Sequence, residues 1–335
     1  MDAIAAAQVL SEIGYLLRQD PEEKFRAKAF SGAAWAIALQ RPDLSTLYGG
    51  NELTSIEGVG AGIAKVLADL LENGASRYLE RLREQMKQPA RDDESDLDFS
   101  QYQGDIHSHS SWSDGKATML DMARGAEAMG YRYLGVTDHS PRITVVHGLD
   151  ADRLLAQSRE MAEVQGQMPG VALLQGIEVD ILEDGSLDLP DMVLELLDVV
   201  IASPHVKLRQ EPAAMTERML RAVSNPHVDV VGHPTGRRPG SREGASYDFE
   251  AVFKAAARHH VALEIDCDPA RMDLSPEMAR LALDAGCNFA LDADAHSPGE
   301  FAYVPMGMWM ARRAGIPQDR ILNFLPLEAL TMALE

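Results

Sequence analysis

The 335-residue chain has few cysteines, no long apolar run and no excess of positive charge. Its two cysteines, Cys267 and Cys287, form no C-x-x-C pair, so we expect a reduced cytoplasmic protein without structural disulfides. No apolar run approaches the ~20 residues of a membrane span, and no basic segment precedes the first alanines, so we expect neither a membrane anchor nor a secretory signal. The net charge of −21 argues against a broad basic face for duplex nucleic acid, although it permits a local basic groove.

The first 88 residues are predicted to form a small all-α domain. Apolar residues recur at helical spacing over residues 8–17 and 25–39. A third helix follows a glycine-rich turn and is predicted to end near Asn73, with Gly74 as a left-handed stop. A short helix over residues 77–86 completes the domain. Its 10 Lys and Arg against 12 Asp and Glu make it close to neutral.

The glycine-rich turn contains Gly58, Gly60 and Gly62. A dinucleotide-binding fingerprint is disfavoured because no strand precedes the turn and the third glycine is wrongly spaced. A helix-hairpin-helix motif fits better, since glycines let a phosphate approach the free amides of the next helix. We therefore expect DNA contacts at these glycines and at Lys65, with an ordinary tight turn as the alternative.

Residues 89–102 are polar, acidic and contain a proline, which predicts a linker. From residue 103 onward, short apolar runs alternate with helical stretches, which indicates parallel β/α units. Seven strands are expected, and six of them present a likely His, Asp or Glu ligand at the carboxyl end. Parallel strands that close into a barrel gather these ends on one rim, where barrel enzymes build their sites. His107 and His109 form an H-x-H pair whose rings share one face.

The clustering of histidines and acids predicts a metal centre. The candidate ligands are His107, His109, Asp114, His139, Glu178, His205, His233, Asp294 and His296. One metal uses about four to six ligands, so nine imply two or three divalent ions that share bridging carboxylates. Imidazole and carboxylate without thiolate favour Zn, Mn or Fe.

Residues 103–335 resemble the PHP superfamily of polymerase-associated domains and histidinol phosphatases. The resemblance rests on H-x-H at His107, T-D-H at His139, A-S-P-H at His205 and G-H-P-T-G-R at His233, with D-A-H-S at Asp294. It implies a distorted seven-stranded (β/α)7 TIM-like barrel with a trinuclear centre, in which all nine ligand positions are occupied. The branch that it most resembles is the C-terminal PHP domain of bacterial family X DNA polymerases.

The N-terminal region resembles the small helical domain of the same polymerases, through the run from Phe25 to Phe30 and the hairpin. Val66 stands where some members carry a Schiff-base lysine, so lyase activity is not expected. No stretch is left for a polymerase palm between the two regions, so the chain is not expected to polymerise DNA.

Such a centre suits phosphoester hydrolysis by a metal-bound hydroxide, and Arg237 and Lys207 are the candidate phosphate clamps. With the helix-hairpin-helix domain, the expected activity is on DNA 3′ ends, as a 3′–5′ exonuclease or 3′-phosphatase. Two alternatives stay open: a small-molecule phosphomonoesterase of the histidinol phosphatase type, and a DNA-binding scaffold with an inactive barrel.

Overall fold

A computed structural model describes residues 3–18, 20–85 and 97–334. The N-terminal part is helical, as the apolar spacing predicts. Its helices are α1 (Ala3–Arg18), α2 (Lys24–Gln40), α3 (Leu44–Gly49), α4 (Ala61–Asn73) and α5 (Arg77–Gln85). Gly74 ends α4 in the left-handed conformation (φ 72°), as predicted. Residue 86 of the last predicted helix and residues 89–96 of the predicted linker lie outside the described residues.

The rest of the chain alternates strands and helices. The strands are β1 (Gly104–Asp105), β2 (Tyr133–Val136), β3 (Ala172–Asp180), β4 (Val199–Ser203), β5 (Val230–Val231), β6 (Ala262–Asp266) and β7 (Phe289–Asp292). The helices are α6 (Met119–Ala128), α7 (Ala151–Gln167), α8 (Asp191–Leu194), α9 (Pro212–Val223), α10 (Phe249–Arg258), α11 (Pro276–Asp284), α12 (Val304–Ala314) and α13 (Leu327–Leu334). Among the described residues, no helix is long and apolar enough to cross a membrane.

The seven strands form one sheet in the order β1 to β7, and every adjacent pair is parallel. The two outer strands approach each other just past their carboxyl ends. There Ser108 pairs with Ala295, and the His109 amide donates a hydrogen bond of 2.8 Å to the Ala295 carbonyl. The sheet is therefore a nearly closed barrel, which confirms the predicted (β/α)7 fold with a helical domain before it.

The two ends of the barrel differ in polarity. An apolar cluster that includes Ile106, Tyr133 and Ile201 fills the end where the strands begin, and Leu330 of α13 closes it. At the opposite end the strands deliver buried His, Asp and Glu side chains. Burial of apolar groups thus fixes one half of the barrel interior, and the other half is left for chemistry.

The helical part packs against the barrel on the side of β6 and β7. Tyr15 of α1 contacts Trp309 of α12, with ring centroids 4.5 Å apart, and Trp35 of α2 lies 6.4 Å from Tyr303. The Arg312 guanidinium donates to the Gln8 side chain over 3.0 Å. The helical domain is consequently seated beside the polar rim of the barrel.

Candidate metal centre

All nine candidate ligands lie together at the carboxyl ends of the strands. They come from the segments after β1, β2, β4, β5 and β7 and from β3 itself: His107, His109, Asp114, His139, Glu178, His205, His233, Asp294 and His296. Most are buried, and Asp114 and His296 are partly open to solvent. His233 (φ 26°) and Asp294 (φ 47°) have backbones in the left-handed region, a strain that the surrounding fold must hold.

The Glu178 carboxylate is the centre of this cluster. Its Oε1 lies 2.8 Å from His233 Nε2 and 3.1 Å from His205 Nε2, and its Oε2 lies 2.8 Å from His139 Nδ1. His109 Nε2 is 3.6 Å from Oε2. A carboxylate that faces imidazoles on both oxygens would be able to hold metal ions together with these histidines.

Two further carboxylates complete the cluster. Asp294 Oδ1 is 3.0 Å from His109 Nε2 and 3.6 Å from His107 Nε2. Asp114 Oδ1 is 3.4 Å from His296 Nε2 and 3.6 Å from His139 Nε2. The two carboxylates also share neighbours, because Asp114 Oδ1 lies 3.9 Å from His109 Nδ1 and Asp294 Oδ1 lies 3.8 Å from His296 Nδ1.

The donor set fits divalent metal ions. The side chains form three groups that share His109 and His139: His109, Asp114, His139 and His296; His107, His109 and Asp294; His139, Glu178 and His205. The buried atoms His109 Nδ1, Glu178 Oε2 and Asp294 Oδ1 lie near other ligand atoms but make no hydrogen bond of suitable geometry among the described residues. Buried polar atoms are otherwise almost always satisfied, so these atoms point to an absent ligand. Nitrogen and oxygen donors without thiolate suit Zn, Mn or Fe.

The electrostatics favour the metal-binding form at Glu178 and His109 but not at every donor. Although burial opposes it, the neighbouring carboxylates raise the pKa of His139 to about 10 and that of His296 to about 9, so these two imidazoles must release a proton to bind a metal. Burial alone would raise the pKa of Glu178, but the positive charge of His205, His139 and His107 holds it well below its usual range. Burial lowers the pKa of His109 to about 3, and the neighbouring histidines add to this effect. Glu178 and His109 are thus a carboxylate and a neutral imidazole at physiological pH, the forms required of metal ligands.

Two acids that are not among the nine predicted ligands, Glu264 and Asp180, hold the histidines from behind. Glu264 Oε1 lies 2.5 Å from His107 Nδ1, and Glu264 Oε2 accepts the His233 backbone amide over 2.5 Å. Asp180 Oδ1 lies 3.1 Å from His205 Nδ1. Carboxylates that hold the second ring nitrogen orient a ligating imidazole and raise its basicity. The sequence feature that could have identified these two acids is their position in strands β6 and β3, which are otherwise largely apolar.

The cavity above the cluster has a volume of about 530 Å³ and carries three cations, Lys116, Arg238 and Arg271. Arg271 is buried and its Nε lies 3.3 Å from Asp294 Oδ2. The predicted clamps Arg237 and Lys207 are not among the residues that line this cavity. Arg237 instead points its Nε to the Arg271 carbonyl at 3.4 Å. Lys207 is exposed and has a left-handed backbone conformation itself (φ 56°).

The residues that are predicted to contact DNA also lie close to one another. Gly58, Gly60, Gly62 and Lys65 line one cavity of about 720 Å³ in the helical domain, together with Arg26 and two arginines of α5. Gly58 has a φ of 77°. A Cβ at Gly60 or Gly62 would meet nothing within 4 Å, so the space beside the start of α4 is open.

A parallel seven-stranded barrel with this set of metal-binding side chains at its carboxyl rim is suited to metal-dependent hydrolysis of phosphoesters. Residues 105–267 match the PHP domain model, and residues 2–76 match a helix-hairpin-helix domain model. The chain belongs to the PHP-domain family and carries an N-terminal helix-hairpin-helix domain.

Similar proteins differ in length and in name. The chain is 36% identical over 227 residues to the DNA polymerase/3′-5′ exonuclease PolX of Bacillus subtilis. The aligned region covers 68% of the chain but only 40% of the Bacillus subtilis protein. The chain is 30% identical over 232 residues to a protein of Thermoanaerobacter sp. strain X514 named as a probable phosphatase, over 65% of the chain and 89% of that protein. A histidinol phosphate phosphatase structure from Lactococcus lactis aligns with a TM-score of 0.45 and 19% identity, over 58% of the chain and 86% of that structure.

Proposed function

We propose that the protein hydrolyses phosphoesters at DNA 3′ ends, as a 3′–5′ exonuclease or a 3′-phosphatase, with two or three divalent metal ions. The observation that carries the proposal is the seating of a helix-hairpin-helix domain beside the rim that holds the metal cluster. The name of the Bacillus subtilis relative, which includes a 3′-5′ exonuclease, supports it.

Bound metals would supply a water nucleophile near neutral pH and positive charge for the phosphate oxygens. The protein's own residues then do three things. Glu264 and Asp180 orient His107 and His205. Arg271, which Asp294 and Asp266 hold by its Nε, offers its remaining N–H groups to a phosphate in the cavity. Lys116 and Arg238 add positive charge at the mouth of the cavity.

A second candidate is a small-molecule phosphomonoesterase of the histidinol phosphatase type. The net charge of −21 favours it, because a polyanionic strand is repelled by the chain as a whole. The relatives that are named as probable phosphatases support it as well.

The two candidates are separated by supplying both substrate types to one preparation. Protein loaded with Mn²⁺ and then with Zn²⁺ is incubated with a 5′-labelled single strand, a 3′-phosphate duplex and a panel of phosphomonoesters, with His107→Ala as the blank. We expect a ladder of shortened strands or loss of the 3′ phosphate, absent from the variant. Turnover of a phosphomonoester with untouched DNA ends would contradict the proposal and favour the second candidate.

A further inference from the structure

A second cleft continues from the mouth of the catalytic cavity toward the helical domain. It has a volume of about 650 Å³ and lies between α2 and the loops that follow β5 and β6. The two cavities share Arg238, Asp268 and Tyr303 as lining residues. A chain-like substrate whose end lies at the metal cluster can therefore pass directly into this interdomain cleft.

The interdomain cleft is basic although the protein is acidic. Arg18, Lys24, Lys28 and Arg238 line it, against the single carboxylate of Asp268. Within residues 3–18, 20–85 and 97–334, none of these four cations has a carboxylate at ion-pair distance. Asp268 in turn uses one oxygen to accept the Ala270 amide over 2.8 Å. Asp268 interacts electrostatically with Arg18, so Lys24, Lys28 and Arg238 supply most of the positive charge of the cleft. In a protein of net charge −21, such a concave basic patch concentrates anions locally.

The cations of α2 form one stripe with an aromatic side chain. Lys24, Lys28 and Trp35 are four and seven residues apart, so they lie on one face of the helix. Trp35 is 37% exposed, and its ring lies beside Tyr303 at the junction of the two cavities. Gly32 lies on the same stripe, and a Cβ there would meet nothing within 4 Å, so the middle of the stripe is open.

We propose that the interdomain cleft binds the single-stranded DNA segment that precedes the 3′-terminal nucleotide. Lys24, Lys28 and Arg238 hold its phosphates and Trp35 stacks on a base, the combination by which proteins bind single strands without sequence preference. This assignment rests on the proposed function and adds the path of the strand. A positively charged groove with an aromatic platform fits a nucleic acid strand better than an anion that lacks bases.

The test compares substrates of different length on the full-length, Mn-loaded protein. Single strands of 2 and 12 nucleotides are used, because only the longer one reaches the interdomain cleft. In the double variant K24Q/K28Q, we expect the advantage of the 12-mer in kcat/KM to fall about tenfold. The dependence of log kcat/KM on log salt should also become shallower by about 1.4, since each phosphate contact on a single strand contributes about 0.7. K254Q, which removes an exposed lysine of α10, is the matched control and should keep both wild-type values.

The failures of the two proposals are distinguishable. If the wild type hydrolyses both oligonucleotides and K24Q/K28Q keeps the wild-type length dependence and salt dependence, the cleft assignment is overturned and the proposed function stands. If the wild type turns over a small phosphomonoester and neither oligonucleotide, the proposed function is overturned together with the cleft assignment. A second variant, W35L, should weaken binding of the 12-mer with little change in the salt dependence, because stacking neutralises no phosphate.

Discussion

The substitution Glu264→Gln tests whether the cluster is held for metal binding. Glu264 contacts His107 Nδ1 through one oxygen and the His233 amide through the other, each at 2.5 Å. If His107 binds a metal through Nε2, its Nδ1 must carry the proton, so both partners of Glu264 are then donors. A glutamine has one acceptor oxygen and an NH₂ group, and it can satisfy only one of them.

The size of the effect follows from that mismatch. A buried donor without an acceptor costs ~1–3 kcal/mol, which corresponds to about a 5- to 150-fold loss of metal affinity when the lost contact positions a ligand. This range includes the ~10- to 100-fold loss that is typical of outer-shell partners of metal ligands. The assay is a competitive chelator titration of Mn²⁺ and Zn²⁺, with circular dichroism as the control for folding.

A matched control is Glu250→Gln, because this exposed glutamate of α10 pairs only with Lys254 among the described residues. It should bind metals as the wild type does. If folded Glu264→Gln binds both metals within twofold of the wild type, the interpretation of Glu264 as a support for ligating histidines is refuted.

Three further predictions concern stability. Removal of metals with a chelator should lower the melting temperature, and added Mn²⁺ should restore it. Each metal site contributes about 2.7 kcal/mol to stability when the free metal concentration is 100 times its Kd. An unchanged melting temperature would argue against resident metals. Burial raises the pKa of Asp229 to about 7. The folded chain therefore keeps a proton that the unfolded chain loses near pH 4, and the free energy of unfolding should fall between about pH 4 and 7, by at most about 4 kcal/mol. Asp229→Asn should remove this fall in urea titrations at several pH values, whereas Asp198→Asn, which also loses a carboxylate that accepts a backbone amide, should keep it. Asn323→Ala leaves the Leu291 amide without its buried acceptor and removes one donor from the Asp292 carboxylate, which keeps the Ile106 amide. It should lower the free energy of unfolding by about 3 kcal/mol in urea, and a loss below about 1 kcal/mol would contradict this expectation.

The barrel and the assembly of its rim were predictable because strand geometry determines both. All seven expected strands occur, and parallel strands must gather their carboxyl ends at one rim. Short spacings between ligands in the sequence also keep their side chains close together in the site. His107 and His109 are two residues apart and their Nε2 atoms lie 3.3 Å from each other. Local pattern and topology together were sufficient to bring all nine candidate ligands to one place.

The paths of the loops were not predictable in the same way. Arg237 and Arg238 are adjacent in the sequence, and only the course of the loop after β5 places Arg238 in the cavity. Arg271 comes from the loop after β6, and its role depends on contacts with Asp294, which is distant in sequence. Such contacts are set by tertiary packing, and periodicity carries no information about them.

The basic character of the interdomain cleft was equally hidden. The net charge of residues 1–88 is close to zero, and the net charge of the whole chain is strongly negative. A net charge counted along the sequence does not show where the charges lie in the fold. The fold places Lys24 and Lys28 on the face of α2 toward the barrel and brings Arg238 next to them. The packing of α1 on α12, about 300 residues apart along the chain, determines which face of α2 that is.

The central claim is that nine side chains at the barrel rim form one multinuclear metal centre. The most direct measurement is an anomalous difference map from crystals grown with Mn²⁺, collected for the wild type and for His107→Ala. The account predicts two or three peaks inside the cluster, with Glu178 between at least two of them, and fewer or weaker peaks in the variant. A map with no peak in the cluster, or with a single ion bound outside it, would contradict the account.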